Sequence, residues 1–206
     1  MNLHLQEQEG FEAFRHAYRA AIKEVRTKIE ILSEDFAVCH DYNPIHHMER
    51  RLKTPDSIEE KLTRLGKEIT IASAKKNIFD IAGIRVVCNF IDDVYTVADM
   101  LTSQSDVKLL TEKDYIKNPK PNGYRSLHLV IAIPVYFLDG CEEVIVEVQI
   151  RTVAMDFWAS LEHQLRYKQN KDISSKIDLE LKACAEVSAT LDRRMQKIFD
   201  ELNKMD

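Results

Sequence analysis

From Glu143 to Arg151 the chain alternates strictly. Val144, Val146, Val148 and Ile150 fall on one side, and Ile145, Glu147, Gln149 and Arg151 on the other. A period of two over this length, rich in β-branched residues, specifies a strand with one buried face. The opposite face then carries a carboxylate, an amide and a guanidinium, each two residues from the next. Such a row is too polar for a second core face and too regular for a loop, so it is expected to floor a site. The pattern assigns Arg151 nothing beyond anchoring the strand to a following helix.

Around this strand the remaining elements fall into order. An amphipathic helix is expected from about Glu7 to Leu32, with Phe11, Phe14, Tyr18, Ile22, Val25 and Ile29 at helical spacing. A less regular connection to Pro44 follows. Arg51 and Lys53 then share one side of an extended piece, because Pro55 disfavours helix just before it. Ser57 with Glu60 has capping-box spacing, and a single helix is expected from there to about Lys76. The aliphatic run Ile78 to Cys88, broken by Asp80 and Arg85, predicts a central strand whose two charges face a cleft or its entrance. A short helix over 92–103 with Asp92 as its cap and a strand over Val107–Leu110 come next.

The segment Lys113 to His128 holds Pro119, Pro121 and Asn122-Gly123, and is expected to be a shaped loop. Leu127 to Leu138 then leads through Asp139-Gly140 into the alternating strand, forming a hairpin of antiparallel neighbours. Thr152 is placed to cap a helix running to about Gln169 with Glu162-His163 on it. Ser174 to Met205 is a long charged helix. Its stripe (Ile177, Leu181, Cys184, Val187, Leu191, Met195, Ile198, Leu202) suits packing on the first helix or a subunit interface.

With 206 residues the chain can bury one sizeable core, and only 5 Gly and 5 Pro leave little room for long flexible linkers. One domain over 1–206 is expected: an N-terminal helical region 1–43, a catalytic core 44–170 and a C-terminal helix 171–206. No apolar run is long enough for a membrane span, and the N-terminus lacks a signal-peptide layout, which points to the cytoplasm. Cys39, Cys88, Cys141 and Cys184 are scattered and read as reduced thiols. His40-Asp41 lacks the spaced partners of a metal phosphohydrolase and reads as a solvated or capping pair.

The net charge of −5 disfavours a long nucleic-acid duplex as partner. Between Pro44 and Lys76, however, Lys and Arg outnumber Asp and Glu, a local excess suited to a compact polyanion such as a nucleotide. Arg51 and Lys53 before a helix N-terminus, with Ser57 and Lys61 in its first turns, have the makings of a phosphate cradle. A solvated charged face would have the same composition. Lys113, Lys117, Lys120 and Arg125, interleaved with Tyr115 and Tyr124, form a second basic cluster suited to a stacked base and its phosphates. Between the clusters Asp80 and Glu147 are the two carboxylates set in apolar strand sequence, and the best candidates to hold a divalent metal. Mg²⁺ favours one or two carboxylates completed by phosphate oxygens and water. Two phosphate sites flanking such a pair suit phosphoryl-type transfer between two nucleotides. The P-loop motif is absent.

Five ordered motifs carry a resemblance: Arg51/Lys53/Ser57/Lys61, Asp-Ile-Ala-Gly-Ile-Arg over 80–85, Lys120 through Asn122-Gly123-Tyr124-Arg125-Ser126 to His128, Glu-Val-Gln-Ile-Arg-Thr over 147–152, and Trp158-Ala159 through Glu162-His163. Together they resemble the synthetase domain of RelA/SpoT-type enzymes and, more narrowly, the stand-alone small alarmone synthetases of the RelQ type. The chain is expected to hold neither the hydrolase domain nor the regulatory C-terminal region of the longer enzymes. The resemblance implies an α+β fold: a nucleotidyltransferase-like mixed β-sheet flanked by helices, with long N- and C-terminal helices. It implies transfer of pyrophosphate from ATP to the 3′-hydroxyl of GDP or GTP. In that scheme Asp80 and Glu147 bind Mg²⁺, and Glu147 is also the base. Arg51 and Arg85 sandwich the adenine, and Lys53, Ser57 and Lys61 hold the ATP phosphates. Tyr124 stacks on guanine, Lys113, Lys120 and His128 attend the acceptor, and Gln149 and Glu162 line the site. Homotetramers joined through the terminal helices are implied, with (p)ppGpp or single-stranded RNA as candidate effectors. His47, Glu49 and Asp156 depart from the residues associated with product binding, which leaves product activation open.

Overall fold

The computed structural model describes residues 4–40, 42–168 and 175–205. Its centre is a five-stranded mixed sheet in the order β1-β2-β5-β4-β3. The strands are β1 (Ile45–Leu52), β2 (Ala82–Cys88), β3 (Lys108–Asp114), β4 (Leu127–Phe137) and β5 (Gly140–Thr152). Among the described strands β2 and β5 pair in parallel, and the other neighbours are antiparallel. The alternating strand of the sequence is therefore the middle strand. The run around Asp80 lies one place away from it, and Asp80 itself precedes the ladder.

Among the described residues six α-helices surround the sheet: α1 (Phe11–His40), α2 (Pro55–Arg64), α3 (Ile71–Asn77), α4 (Ile91–Thr102), α5 (Val153–Lys168) and α6 (Ser175–Leu202). One sheet face is closed by α1, with Phe14, Ile22, Val25 and Ile29 packed in a single cluster with Leu129, Ile131, Val146 and Val148. Each such fully buried aliphatic stabilises the fold by about 1.5–3 kcal/mol of transfer free energy. The register β2–β5–β4 aligns Ile84, Val148 and Leu129 on this face, and Gly83, Glu147 and Val130 on the other. The alternation thus buries one face and leaves the opposite one for chemistry.

Several local expectations change. The first helix opens after Gly10, whose φ of 82° breaks it from a preceding 3-10 turn (Leu5–Glu7), and it continues to His40 rather than Leu32. Nothing breaks it earlier, since the first residue barred from helix is Asn43, before Pro44. The extended piece at Arg51 is a full edge strand. Pro55 is the first residue of α2; Thr54 is the cap, accepting from the backbone N–H of Ser57, so the expected Ser57/Glu60 box is displaced by three residues. Proline suits that place because its missing N–H would be unpaired there anyway.

The single helix expected to Lys76 is two, parted at Gly66 (φ 64°), with Thr70 capping α3. In α4 the entry is closed by Asp93, which accepts from the N–H of Phe90 at 3.0 Å, rather than by Asp92. The third strand extends through Lys113 and Asp114, which the sequence left in the loop. The hairpin closes at the Phe137–Gly140 pair, so its turn is Leu138-Asp139. Thr152 does cap α5, accepting from the N–H of Met155 at 3.2 Å. Gln169 and Asp41 lie outside the described residues. His40 stacks on Phe36 one turn back. Among the described residues Cys88 is buried and the other three cysteines are exposed and free.

The C-terminal helix packs on α5 and α4, through contacts such as Phe90–Phe199 with ring centroids 4.2 Å apart. Its buried line is Ala185, Ala189 and Asp192. The stripe read from the sequence faces away from them: Val187, Leu191 and Ile198 are 70%, 57% and 51% exposed. Among the described residues, no helix is long and apolar enough to cross a membrane.

Candidate active site

The uncovered sheet face carries two rows of side chains set by strand register. The first runs Arg51, Gly83, Glu147, Val130 and Thr111; the second runs Glu49, Arg85, Gln149, His128 and Lys113. Residues far apart in sequence thus become lateral neighbours. A cleft of about 320 Å³ lies over one side of these rows, lined by Glu49, Arg50, Arg51, Asp80, Gly83, Ile84, Arg85, Glu147 and Gln149. Asp80 and Arg85 both reach it because Asp80 sits in the turn ahead of β2, where strand alternation no longer applies. A bend at Gly83 is not required. That glycine lies between Arg51 and Glu147 and keeps the floor of the cleft low.

At one end of the cleft Asp80 binds two lysines. Lys61 donates to Oδ1 at 2.7 Å, and Lys53 Nζ lies 3.0 Å from Oδ2. Burial pushes the Asp80 carboxyl up, but hydrogen bonds from Lys61 and Lys53 outweigh that and hold it below the ordinary range. Ser57 sits at the start of α2, its hydroxyl accepting from Thr54 at 2.9 Å. Lys53 and Lys61 thus meet on Asp80, Arg51 lines the same cleft, and Ser57 is held by Thr54 at the start of α2.

Glu147 is the centre of a second network. Its Oε1 lies 3.3 Å from His128 Nδ1, and Oε2 accepts from Gln149 Nε2 at 2.8 Å. Burial raises its carboxyl, yet the hydrogen bonds from His128 and Gln149 leave it below its usual value; the Asp80 charge opposes them. The two carboxylates thus stay ionised and sense each other's charge across one cleft. That donor set fits Mg²⁺, which favours one or two carboxylates completed by phosphate oxygens and water. Among the described residues no group of three or more His, Cys, Asp or Glu side chains gathers as a metal cage.

The tyrosine loop closes the other end. Tyr124 hydroxyl lies 2.9 Å from His128 Nε2, and Lys120 Nζ rests over the rings of Tyr115 and Tyr124 at 4.7 and 4.9 Å. Lys113 pairs with His128 across β3 and β4. Two members of the predicted basic cluster are committed elsewhere. Arg125 donates to Glu186 on α6, and Lys117 pairs with Asp114 at 3.2 Å. Glu162 accepts from Asn122 at 3.2 Å and from Arg166, so it ties the loop to α5.

Two residues take parts in the site that the sequence did not assign them. Arg151, only 2% exposed, donates to Gln149 Oε1 at 2.6 Å and to the Tyr124 hydroxyl at 3.3 Å. Asp156 lies between two guanidiniums, 3.4 Å from Arg151 Nη1 and 3.5 Å from Arg85 Nη1. Arg85 also donates to Glu49 at 2.9 Å. The one available signal was Arg151 continuing the polar face past Gln149.

A mixed sheet with one helix-packed face, a carboxylate on the other, a second carboxylate in the turn beside it and cationic groups around both suits phosphoryl-type transfer between nucleotides. The family model described as "Region found in RelA / SpoT proteins" matches residues 50–172, and the chain belongs to the RelA/SpoT family. It is 46% identical to GTP pyrophosphokinase YwaC of Bacillus subtilis (strain 168) over 90% of this chain and 89% of that protein. The fold superposes on the crystal structure of small alarmone synthetase 2 from Bacillus subtilis with a TM-score of 0.86, at 43% identity over 94% of this chain and all of that one. Small alarmone synthetase 1 from the same organism, bound to its product pppGpp, matches with a TM-score of 0.85, at 36% identity over 94% and 98% of the two chains.

Proposed function

We propose that this protein is a GTP pyrophosphokinase: it transfers pyrophosphate from ATP to the 3′-hydroxyl of GDP or GTP, releasing AMP and making ppGpp or pppGpp. The observation that carries this reading is the pairing of Asp80 and Glu147, both held ionised, over one cleft, with Lys53 and Lys61 on Asp80 and Tyr124 joined to Glu147 through His128. It is supported by a family relative named for that activity.

The roles assigned here are those the family resemblance implies. Arg51 and Arg85 flank the cleft and present flat cations to the adenine. Lys53, Ser57 and Lys61 take the ATP phosphates at the start of α2. Tyr124 stacks on guanine, and Lys113, Lys120 and His128 meet the acceptor's phosphates or the transferred group. Gln149 lines the floor. Glu162 lines the loop side by holding Asn122. Mg²⁺ held by Asp80 and Glu147 would neutralise charge on the phosphate oxygens, which is where most of the catalysis in phosphoryl-type transfer originates. Glu147 accepts the proton of the 3′-hydroxyl. We place the reaction in the cytoplasm, as a homotetramer assembled through the terminal helices, with (p)ppGpp and single-stranded RNA as the effectors to examine.

The test is direct. Protein incubated with ATP, GTP and Mg²⁺ must yield AMP and a guanosine pentaphosphate. Finding neither would sink the reading. AMP attached to an acceptor, traced from the α-phosphate of ATP, would point instead to nucleotidyl transfer.

A further inference from the structure

Five side chains on the uncovered sheet face and its loop form a closed ring: His128 meets Glu147, Gln149 donates to Glu147, Arg151 donates to Gln149 and to Tyr124, and Tyr124 returns to His128. The links range from 2.6 to 3.3 Å. Arg151 and His128 are the two members that join the strands to Tyr124 on the loop. One of its terminal nitrogens, Nη2, serves both Gln149 and Tyr124, while Nη1 faces Asp156. Its guanidinium carbon lies 5.6 Å from the centre of the Tyr124 ring, so Arg151 packs against the face of the ring as well as bonding its hydroxyl.

We propose that Arg151 is a positioning residue for transfer: it fixes the Gln149 amide, and through it Glu147, in register with Tyr124 and His128. The inference rests on the function proposed above. A buried guanidinium is costly to desolvate and is retained where its fork of donors holds several partners in fixed geometry. Without Arg151, the Gln149 carbonyl loses its donor and the amide is free to turn its N–H away from Glu147. Tyr124 loses both a donor to its hydroxyl and the plate behind its ring. Asp156, shared with Arg85, orients Arg151 from behind, so the same acid touches the side of the cleft where Arg85 lies.

Lysine in place of Arg151 keeps the charge facing Asp156 but cannot serve Gln149 and Tyr124 with a planar fork. Because a misplacement of about 1 Å costs on the order of a hundredfold in rate, R151K is expected to lower kcat by roughly 10- to 100-fold. Its KM for ATP should move less than about threefold, its cation site being at Lys53 and Lys61. In a Tyr124→Phe/Gln149→Ala background, where the two acceptors are gone, the same substitution should cost less than about threefold further, because residues acting as one unit are non-additive. R151K with wild-type kcat, or an equal loss in both backgrounds, overturns the proposal. If R151K does not fold, the Y124F/Q149A protein alone decides: unchanged kcat means Arg151 does not act through these groups. Wild-type protein in the same assay separates the two readings, since absence of AMP and product there rejects the function, whereas a wild-type reaction indifferent to R151K rejects only the positioning role.

Discussion

Lys61 and Asp80, nineteen residues apart, meet at 2.7 Å across the gap between the second turn of α2 and the turn before β2. Lys53 occupies the other carboxylate oxygen at 3.0 Å, so the two lysines assigned to ATP phosphates are held on the acid assigned to the metal. A cation and a nucleotide arriving together would exchange these pairings without leaving a buried charge uncompensated.

This arrangement has an acid-stability consequence. The Asp80 carboxyl titrates below its ordinary value of 3.8 in the folded protein, so the unfolded state takes up the proton first as pH falls. Stability from Asp80 is therefore fully present well above 3.8 and is lost as pH drops through that value to the lower folded one. Thermal melts of Asp80→Asn against wild type should show a shallower fall in Tm below about pH 4. Parallel acid limbs would remove the lysine pairs from the account.

Glu147→Gln keeps the shape of the floor but removes the anionic oxygens that His128 and Gln149 hold ionised. A loss of a general base lowers rate by about 10²–10⁴-fold. The variant should melt near the wild-type Tm and still bind ATP by titration calorimetry in the absence of turnover. Full activity in E147Q would return Glu147 to a lining role.

Gly123 adopts φ +93°, and a Cβ there would sit 2.5 Å from the Cβ of Ala185 on α6. The loop meets the C-terminal helix too closely to admit a Cβ. Gly123→Ala is expected to cost about 1–3 kcal/mol through left-handed backbone strain and overpacking. It should also raise KM for the guanine nucleotide, because Tyr124 is the next residue. Urea denaturation and initial rates measure the two effects separately, and an unchanged denaturation midpoint would show that α6 yields.

The outward stripe on α6 joins Phe157 and Val153 of α5 around an apolar groove that includes Val187, Leu191 and Met195. Leu191→Glu with Val187→Glu should lower the mass measured by light scattering while leaving the fold intact by circular dichroism, since both positions are more than half exposed in the single chain. A wild-type protein already monomeric would dismiss assembly through this face.

Local pattern carried much of this protein. The two-residue period of Glu143 to Arg151 determined which side chains of the middle strand are buried, and the Thr152 cap and the β4–β5 hairpin were set by residues within a few positions of each other. Asp80 and Glu147 stood out because a carboxylate in an aliphatic run needs a reason. The split at Gly66 and the extension of α1 to His40 were decided by breakers whose strength is relative, and pattern alone misjudged them. Strand order is a different matter. That Glu49, Arg85, Gln149 and His128 form one row depends on pairing between strands distant in sequence, which periodicity does not encode. The same holds for Arg151, whose meaning lies in Tyr124, Gln149 and Asp156 converging on it from a loop, a strand and a helix. It holds too for α6, whose apolar stripe was legible but whose buried face was chosen by the small residues Ala185 and Ala189, because close helix approach against α5 favours small side chains over large ones.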